Sequence, residues 1–207
     1  MEIEKISYFE AKALAAKMDI ALGFQISEIE NQIKKINGLN SWAGLDQEVL
    51  QTPYVELHEI MEQLDLRDGS LIVDVGAAYG RLGHVIGRSF PNLHFLGFEV
   101  VLERVLEGNR VLKNFNYSNV SLRHADVADK NFSLPVAEAY FIYDFGSPDH
   151  VRKVLNDIGE ISKTKAVSVV GRGRLSRDLI ERENPWLSQV AYPWHFKNFS
   201  IYRTLLA

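Results

Sequence analysis

The chain contains no cysteine, which removes disulfides, thiolate zinc sites and thiol nucleophiles together. Its six histidines are scattered without a His-x-x-x-His spacing, so no metal site is expected. No segment reaches the roughly 18 uninterrupted apolar residues of a membrane span. The opening "MEIEKISYFEAKALAAKMDIALG" is acidic and lacks the basic region and apolar core of a secretory signal, so a cytoplasmic protein with no membrane partner is expected. Positive charge is not in excess: 23 Lys and Arg stand against 27 Asp and Glu, a net charge of −4 and a pI near 5.9. This disfavours nucleic acid as a partner without excluding it, because a local basic patch needs no global excess. Repeats and low-complexity stretches are also absent.

What remains is the composition of an ordinary globular protein: 207 residues, 46% hydrophobic and 24% charged, enough for one α/β domain with an extension. From Ser7 to about Leu66 the pattern has helical period. "SYFEAKALAAKMDIALGF" and "ISEIENQIKKI" form two helices parted near Gly23 and stopped near Asn37 and Gly38. A third starts in "TPYVELHEIMEQL", with Thr52 as cap and Pro53 at the first helical position. Residues 1–66 therefore read as a helical cap on a domain of residues 67–207.

After "RDGS" short β-rich runs alternate with helical ones: "LIVDV", a helix from about Gly80 to Ser89, "LHFLGFE", "VLERVLEGNRVLKNF", "NVSLRH", "AEAYFIYD", "DHVRKVLNDIGEI" and "KAVSVV". Parallel strands need crossovers of this length, so the rhythm predicts an open parallel sheet covered on both faces. "SQVAYPWHF" and "FSIYRTLL", parted by a short "KN" turn, predict a C-terminal antiparallel hairpin.

In such a sheet ligands bind beyond the carboxyl ends of the strands, on the turn after the first one. That turn is "VDVGAAYG". Gly76 lets the chain turn sharply, Ala78 and Gly80 let a ligand approach the backbone, and the next helix points its N–H groups at any anionic part. Glu99 closes the second strand, 19 positions after Gly80, where a carboxylate can accept both hydroxyls of a ribose. Asp126 follows the third strand, placed for an adenine amino group, with Val127 offering a backbone N–H and an apolar edge. Asp74, two residues before the first turn glycine, would repel the diphosphate of a dinucleotide and suits a cation instead. No G-K-[ST] follows, which argues against a P-loop.

These residues resemble the class I S-adenosylmethionine-dependent methyltransferases over about Leu71 to Val170, with the middle glycine of the family's acidic G-x-G-x-G motif replaced by Ala78. The resemblance implies a Rossmann-like, doubly wound α/β sheet of seven strands and S-adenosylmethionine as cofactor. It puts the cofactor's amino-acid end on Gly76, Ala78 and Gly80, the ribose on Glu99 and the adenine on Asp126. The acceptor would sit after the fourth strand, at "AYFIYDFGSPD", which does not match the [DNS]-P-P-[YF] of family members that methylate base amines or glutamine amides. "TPYVELHEIM", "FLGFE" and "DFGSPDHVRKVL" are similar in layout to the disruptor-of-telomeric-silencing type of protein lysine methyltransferase.

Tyr143 and Asp144 are accordingly the candidate catalytic residues. Tyr143 and Phe145, joined by Tyr54, Tyr192 or Trp194, would wall a narrow channel that strips water from an amine and favours its sulfonium partner by cation–π contact. The alternatives are core packing for Tyr143 and a cap for Asp144 on the helix near Pro148; Tyr140 and Ile142 are expected in the core. "GRGR" sets Arg172 and Arg174 on the same rim, and His195 reads as structural. The acceptor stays open among a protein lysine or other amine, a small molecule and RNA, as does a non-catalytic module that only binds the cofactor.

Overall fold

The computed structural model describes residues 6–37 and 51–205; Gly38, expected to stop the second helix, lies outside them. Helices α1 (Tyr8–Leu22) and α2 (Ile26–Asn37) precede α3 (Tyr54–Leu64). Then follow β1 (Leu71–Val75), α4 (Arg81–Ser89), β2 (His94–Glu99), α5 (Leu102–Asn114), β3 (Val120–His124) and β4 (Ala139–Tyr143). The chain continues through α6 (Pro148–Ser162), β5 (Ser168–Arg172), α7 (Arg174–Glu183), α8 (Pro185–Ser188), β6 (Trp194–His195) and β7 (Phe199–Arg203).

The strands form one seven-stranded sheet in the order β3-β2-β1-β4-β5-β7-β6. The first five are parallel, and β7 runs antiparallel to both β5 and β6. The expected fold class holds: a Rossmann-like sheet with helices on both faces and a C-terminal antiparallel hairpin.

Period-two alternation divides the core. Ile72, Phe95, Phe141, Val170 and Ile201 face one side, while Val73, Leu96, Ile142, Val169 and Tyr202 face the other. The first side is covered by α3, α4 and α5 through Leu57, Ile60, Leu82, Ile86 and Val105. Helices α6, α7 and α8 cover the second with Val154, Leu155, Ile158, Ile180 and Leu187.

Helix α1 opens with a capping box, in which Ser7 Oγ accepts from Glu10 N at 3.2 Å and Glu10 Oε2 accepts from Ser7 N at 2.8 Å. At α3 the expected cap shifts by one residue. Pro53 is the N-cap and makes no side-chain cap bond, while the Thr52 carbonyl accepts from Arg81 Nη1 at 3.2 Å.

Two buried ion pairs fasten α1 to α4 and α2 to α5. Asp19 accepts from Arg81 Nε at 3.1 Å and Nη2, and from the Tyr54 hydroxyl at 2.7 Å. Glu30 accepts from Arg104 Nε at 2.8 Å and from the Tyr79 hydroxyl at 2.8 Å. Arg81 starts α4 and Tyr79 lies in the glycine turn, so the N-terminal helices reach the turn itself.

Candidate functional site

Strand order reverses between β1 and β4, which opens a crevice where neighbouring crossovers leave in opposite directions. A cavity of ≈ 460 Å³ lies there. Asp74 shares the sheet face of Ile72, Tyr143 that of Phe141 and Arg172 that of Val170, so all three point toward α3, whose Leu57 and Ile60 form the opposite wall.

The turn after β1 forms the floor. Gly76, Ala78 and Gly80 have φ of 78°, 48° and 78°, all in the left-handed region. A Cβ on Gly76 would come 2.5 Å from Phe145 Cβ, so a side chain is excluded there by space as well as by backbone conformation. Ala78 adopts a conformation that costs an L-residue roughly 1–2 kcal/mol. Its N–H is held by Glu99 Oε2 at 2.9 Å, while Gly76 N and Ala77 N both donate to the Phe98 carbonyl at 2.9 Å.

The acids at the ends of three successive strands, Asp74, Glu99 and Asp126, all border the cavity, as does Val127. They differ in what already holds them. Glu99 is buried, accepts from Ala78 N and, through Oε1, from Val101 N at 2.9 Å, and lies 3.8 Å from Arg104 Nη1. Asp126 is exposed and accepts from Ala128 N at 2.9 Å. Burial, and then the neighbouring Glu99 carboxylate, push Asp74 from its ordinary value near 3.8 up to about 7.

This shift has a pH signature. Between about 4 and about 7 the folded chain holds a proton at Asp74 that the unfolded chain has released, so stability should fall as pH rises through that window. Affinity for a cation at Asp74 should rise through the same window. Asp74→Asn should flatten the wild-type fall in Tm between pH 4.5 and 7.5; parallel profiles for the two proteins would refute the assignment.

At the far end, Tyr143 is half-buried, borders the cavity and carries the Arg172 guanidinium 4.2 Å above its ring centroid. Burial raises the Tyr143 hydroxyl above its usual range, against the opposing charge of Arg172, so it stays protonated near neutral pH. Arg172 is itself buried, pairs with Glu56 of α3 through Nε and donates to the Tyr8 hydroxyl at 2.9 Å. Asn198 Nδ2 completes the cluster on Glu56 at 2.8 Å.

Asp144 also borders the cavity, but its carboxylate is engaged by α7. It accepts from Ser176 N and Ser176 Oγ at 2.8 Å each and from Leu175 N at 3.3 Å, which caps α7. The cap expected on the helix near Pro148 is supplied by Ser147 instead, whose Oγ accepts from His150 N. Close packing holds Asp144 in place, because a Cβ on Gly173 would fall 2.3 Å from its carboxyl carbon.

Solved structures with this architecture exist, although no protein-family model matches the chain and no curated protein matches it in sequence. A SAM-dependent methyltransferase from Aquifex aeolicus overlays 86% of this chain and 98% of its own, with a TM-score of 0.55 and 12% identity. The precorrin-6y C5,15-methyltransferase from Geobacter metallireducens gives 0.58 over 76% of this chain and 90% of its own, at 17% identity. An RNA methyltransferase from Salinibacter ruber, in complex with S-adenosyl-L-homocysteine, gives 0.50 over 74% and 92%, at 15% identity. The chain has the class I methyltransferase fold.

Within that methyltransferase fold, several aromatics expected at the acceptor end stand elsewhere. Tyr54 is buried with its hydroxyl on Asp19, Tyr192 is 97% exposed, and Trp194 stacks with Arg203 at 4.1 Å; none of them borders the cavity. Phe141, Tyr143 and Phe145 form the aromatic wall instead. Tyr140 and Ile142 are core residues, as expected. Arg172 and Arg174 do not share a rim, because Arg174 begins α7 with its side chain in solvent and its nearest acid, Asp178, 3.5 Å away. His195 bonds Ser200 Oγ at 2.9 Å, away from the cavity.

Sequence reasoning missed Gln51, Arg81, Arg104 and His150 as lining residues. Arg81 carried a signal, being the first helical residue after the turn. Among the described residues no group of three or more His, Asp or Glu could hold a metal, and no helix is long and apolar enough to cross a membrane.

Proposed function

We propose that the chain is an S-adenosylmethionine-dependent methyltransferase acting on an amine, a protein lysine foremost. One observation carries the cofactor reading: the acids closing β1, β2 and β3 border a single cavity whose floor is a left-handed glycine turn. The cavity volume falls in the roughly 300–1,000 Å³ range of small-molecule sites. Asp74, raised toward neutrality by burial and by Glu99, is placed to gain from a cationic ligand and to oppose a diphosphate.

The cofactor supplies a methyl group already activated for in-line displacement. The chain's residues have to align the acceptor, exclude water and admit an unprotonated nucleophile. Phe141, Tyr143 and Phe145 give the acceptor end an apolar wall, and the Glu56 carboxylate offsets the Arg172 charge beside it. Loss of water at that wall costs an ammonium more than its free amine.

S-adenosylmethionine and S-adenosylhomocysteine should bind with 1:1 stoichiometry in calorimetry while NAD should not. Transfer of labelled methyl groups to cell extract then classifies the acceptor. Label lost to protease and kept after nuclease supports a protein; label lost to nuclease, or confined to small molecules, overturns that part. Binding without any transfer would leave a cofactor-sensing module.

Tyr143→Ala should cut turnover about tenfold or more, an alignment loss of roughly 1.4 kcal/mol, with cofactor affinity little changed. Asp144→Ala should lower stability by about 0.5–2 kcal/mol through loss of the α7 cap, and any fall in turnover should exceed that of Ser176→Ala only if the carboxylate also serves the acceptor. Normal turnover in Tyr143→Ala would place the acceptor elsewhere.

A further inference from the structure

Gln51 stands at the wall of the cavity just ahead of α3, with 6% of its surface exposed. Neither its Nε2 nor its Oε1 has a hydrogen-bond partner among the described residues. A buried amide with both ends unmatched is rare, and it is unfavourable unless something outside the chain completes it.

The backbone around it is held. The Gln51 carbonyl accepts from Lys12 Nζ, and the next carbonyl, that of Thr52, accepts from Arg81 Nη1 at 3.2 Å. Arg81 is the first residue of α4 after the glycine turn, so Gln51 borders the turn's end of the cavity, while Asp126 borders the end at β3.

A primary amide offers a donor and an acceptor side by side. It complements a group that presents an acceptor next to a donor, as the α-carboxylate and α-ammonium of an amino acid do. The guanidiniums in the same wall are already matched to buried acids: Arg81 to Asp19, Arg104 to Glu30 and Arg172 to Glu56. A ligand carboxylate entering there meets a neutral donor rather than an unmatched cation.

Building on the methyltransferase reading, we propose that Gln51 grips the amino-acid end of the cofactor, Nε2 donating to its carboxylate and Oε1 accepting from its ammonium. Gln51 then acts as a selector between the full cofactor and nucleosides that lack the amino-acid end. Its unmatched amide disfavours the ligand-free chain and is relieved only by the complete ligand.

Gln51→Met keeps length and removes the amide. In the ligand-free chain its Tm should rise by about 2 °C or more, because an unmatched polar group has gone. Affinity for S-adenosylhomocysteine should fall about tenfold or more, while that for 5′-methylthioadenosine, which lacks the amino-acid end, should stay within about twofold. Gln51→Glu, which sets a carboxylate against the ligand's own, should bind S-adenosylhomocysteine at least as weakly as Gln51→Met.

Equal losses for the two ligands, or wild-type affinity for S-adenosylhomocysteine in either variant, would overturn the assignment of Gln51 alone. A wild-type chain that binds neither ligand would overturn the methyltransferase reading beneath it.

Discussion

Asp19→Ala should destabilise the chain by about 3–5 kcal/mol, the range measured when one partner of a buried ion pair is removed and the other stays behind. Asp19 is 4% exposed and is the acidic partner of Arg81, which is also buried, and the acceptor of the Tyr54 hydroxyl. Without it Arg81 keeps the Thr52 carbonyl and the Tyr54 ring, whose centroid lies 5.4 Å from the guanidinium carbon, and neither carries a neutralising charge. For a chain of this length roughly 2–4 °C of Tm accompanies each kcal/mol, so the fall should be about 6–20 °C. Asp19→Asn, which keeps an acceptor, should fall less.

Because Arg81 borders the cavity, ligand affinity should drop in the alanine variant as well. Glu30→Ala acts on a different arginine, Arg104, and should lower Tm independently. A Tm change under about 2 °C in Asp19→Ala would mean that α1 is not locked to α4 by this pair.

These pairs show what a sequence withholds. Asp19 in "KMDIAL" and Glu30 in "SEIENQ" look like charges on the solvated face of amphipathic helices, and nothing local marks their partners. The partners lie 62 and 74 positions away, beyond two helices and at least one strand, and meet only when α1 and α2 dock. The β/α rhythm was legible for the opposite reason. Strand alternation and helix period are local, and the C-terminal hairpin is marked by its short turn. The acids of the site were legible because fold topology assigns a place to each strand end.

Asp144 shows the limit of that logic. Its position after β4 was clear, but its carboxylate turns to α7, a helix whose charge-rich "RLSRDLIERE" masks a narrow buried stripe of Ser176, Leu179 and Ile180. Gln51 was illegible altogether. A glutamine ahead of a helix carries no signal until burial leaves it without partners.

Glu99→Ala should weaken binding of S-adenosylhomocysteine by about 1–3 kcal/mol, roughly five- to 150-fold, since the ribose hydroxyls would lose a charged acceptor. The same carboxylate holds the N–H groups of Ala78 and Val101, so the variant should also unsettle the turn, where Ala78 already occupies a costly left-handed conformation. Stability and affinity therefore fall together, and a second variant is needed to separate them. Glu99→Gln keeps an acceptor oxygen for one of those N–H groups and abolishes the negative charge.

That loss of charge has its own readout, because Glu99 is the second cause, after burial, of the raised Asp74 pKa. With glutamine at 99 the pH midpoint linked to Asp74 should move down from about 7 toward the ordinary carboxylate range, yet stay above it because burial persists. The window in which Tm falls with rising pH should narrow accordingly. Titrating S-adenosylhomocysteine against wild type and Glu99→Gln at several pH values measures both effects at once. A downward midpoint with weakened affinity supports the ribose role and the carboxylate coupling, an unmoved midpoint refutes the coupling, and unchanged affinity at every pH refutes the ribose role.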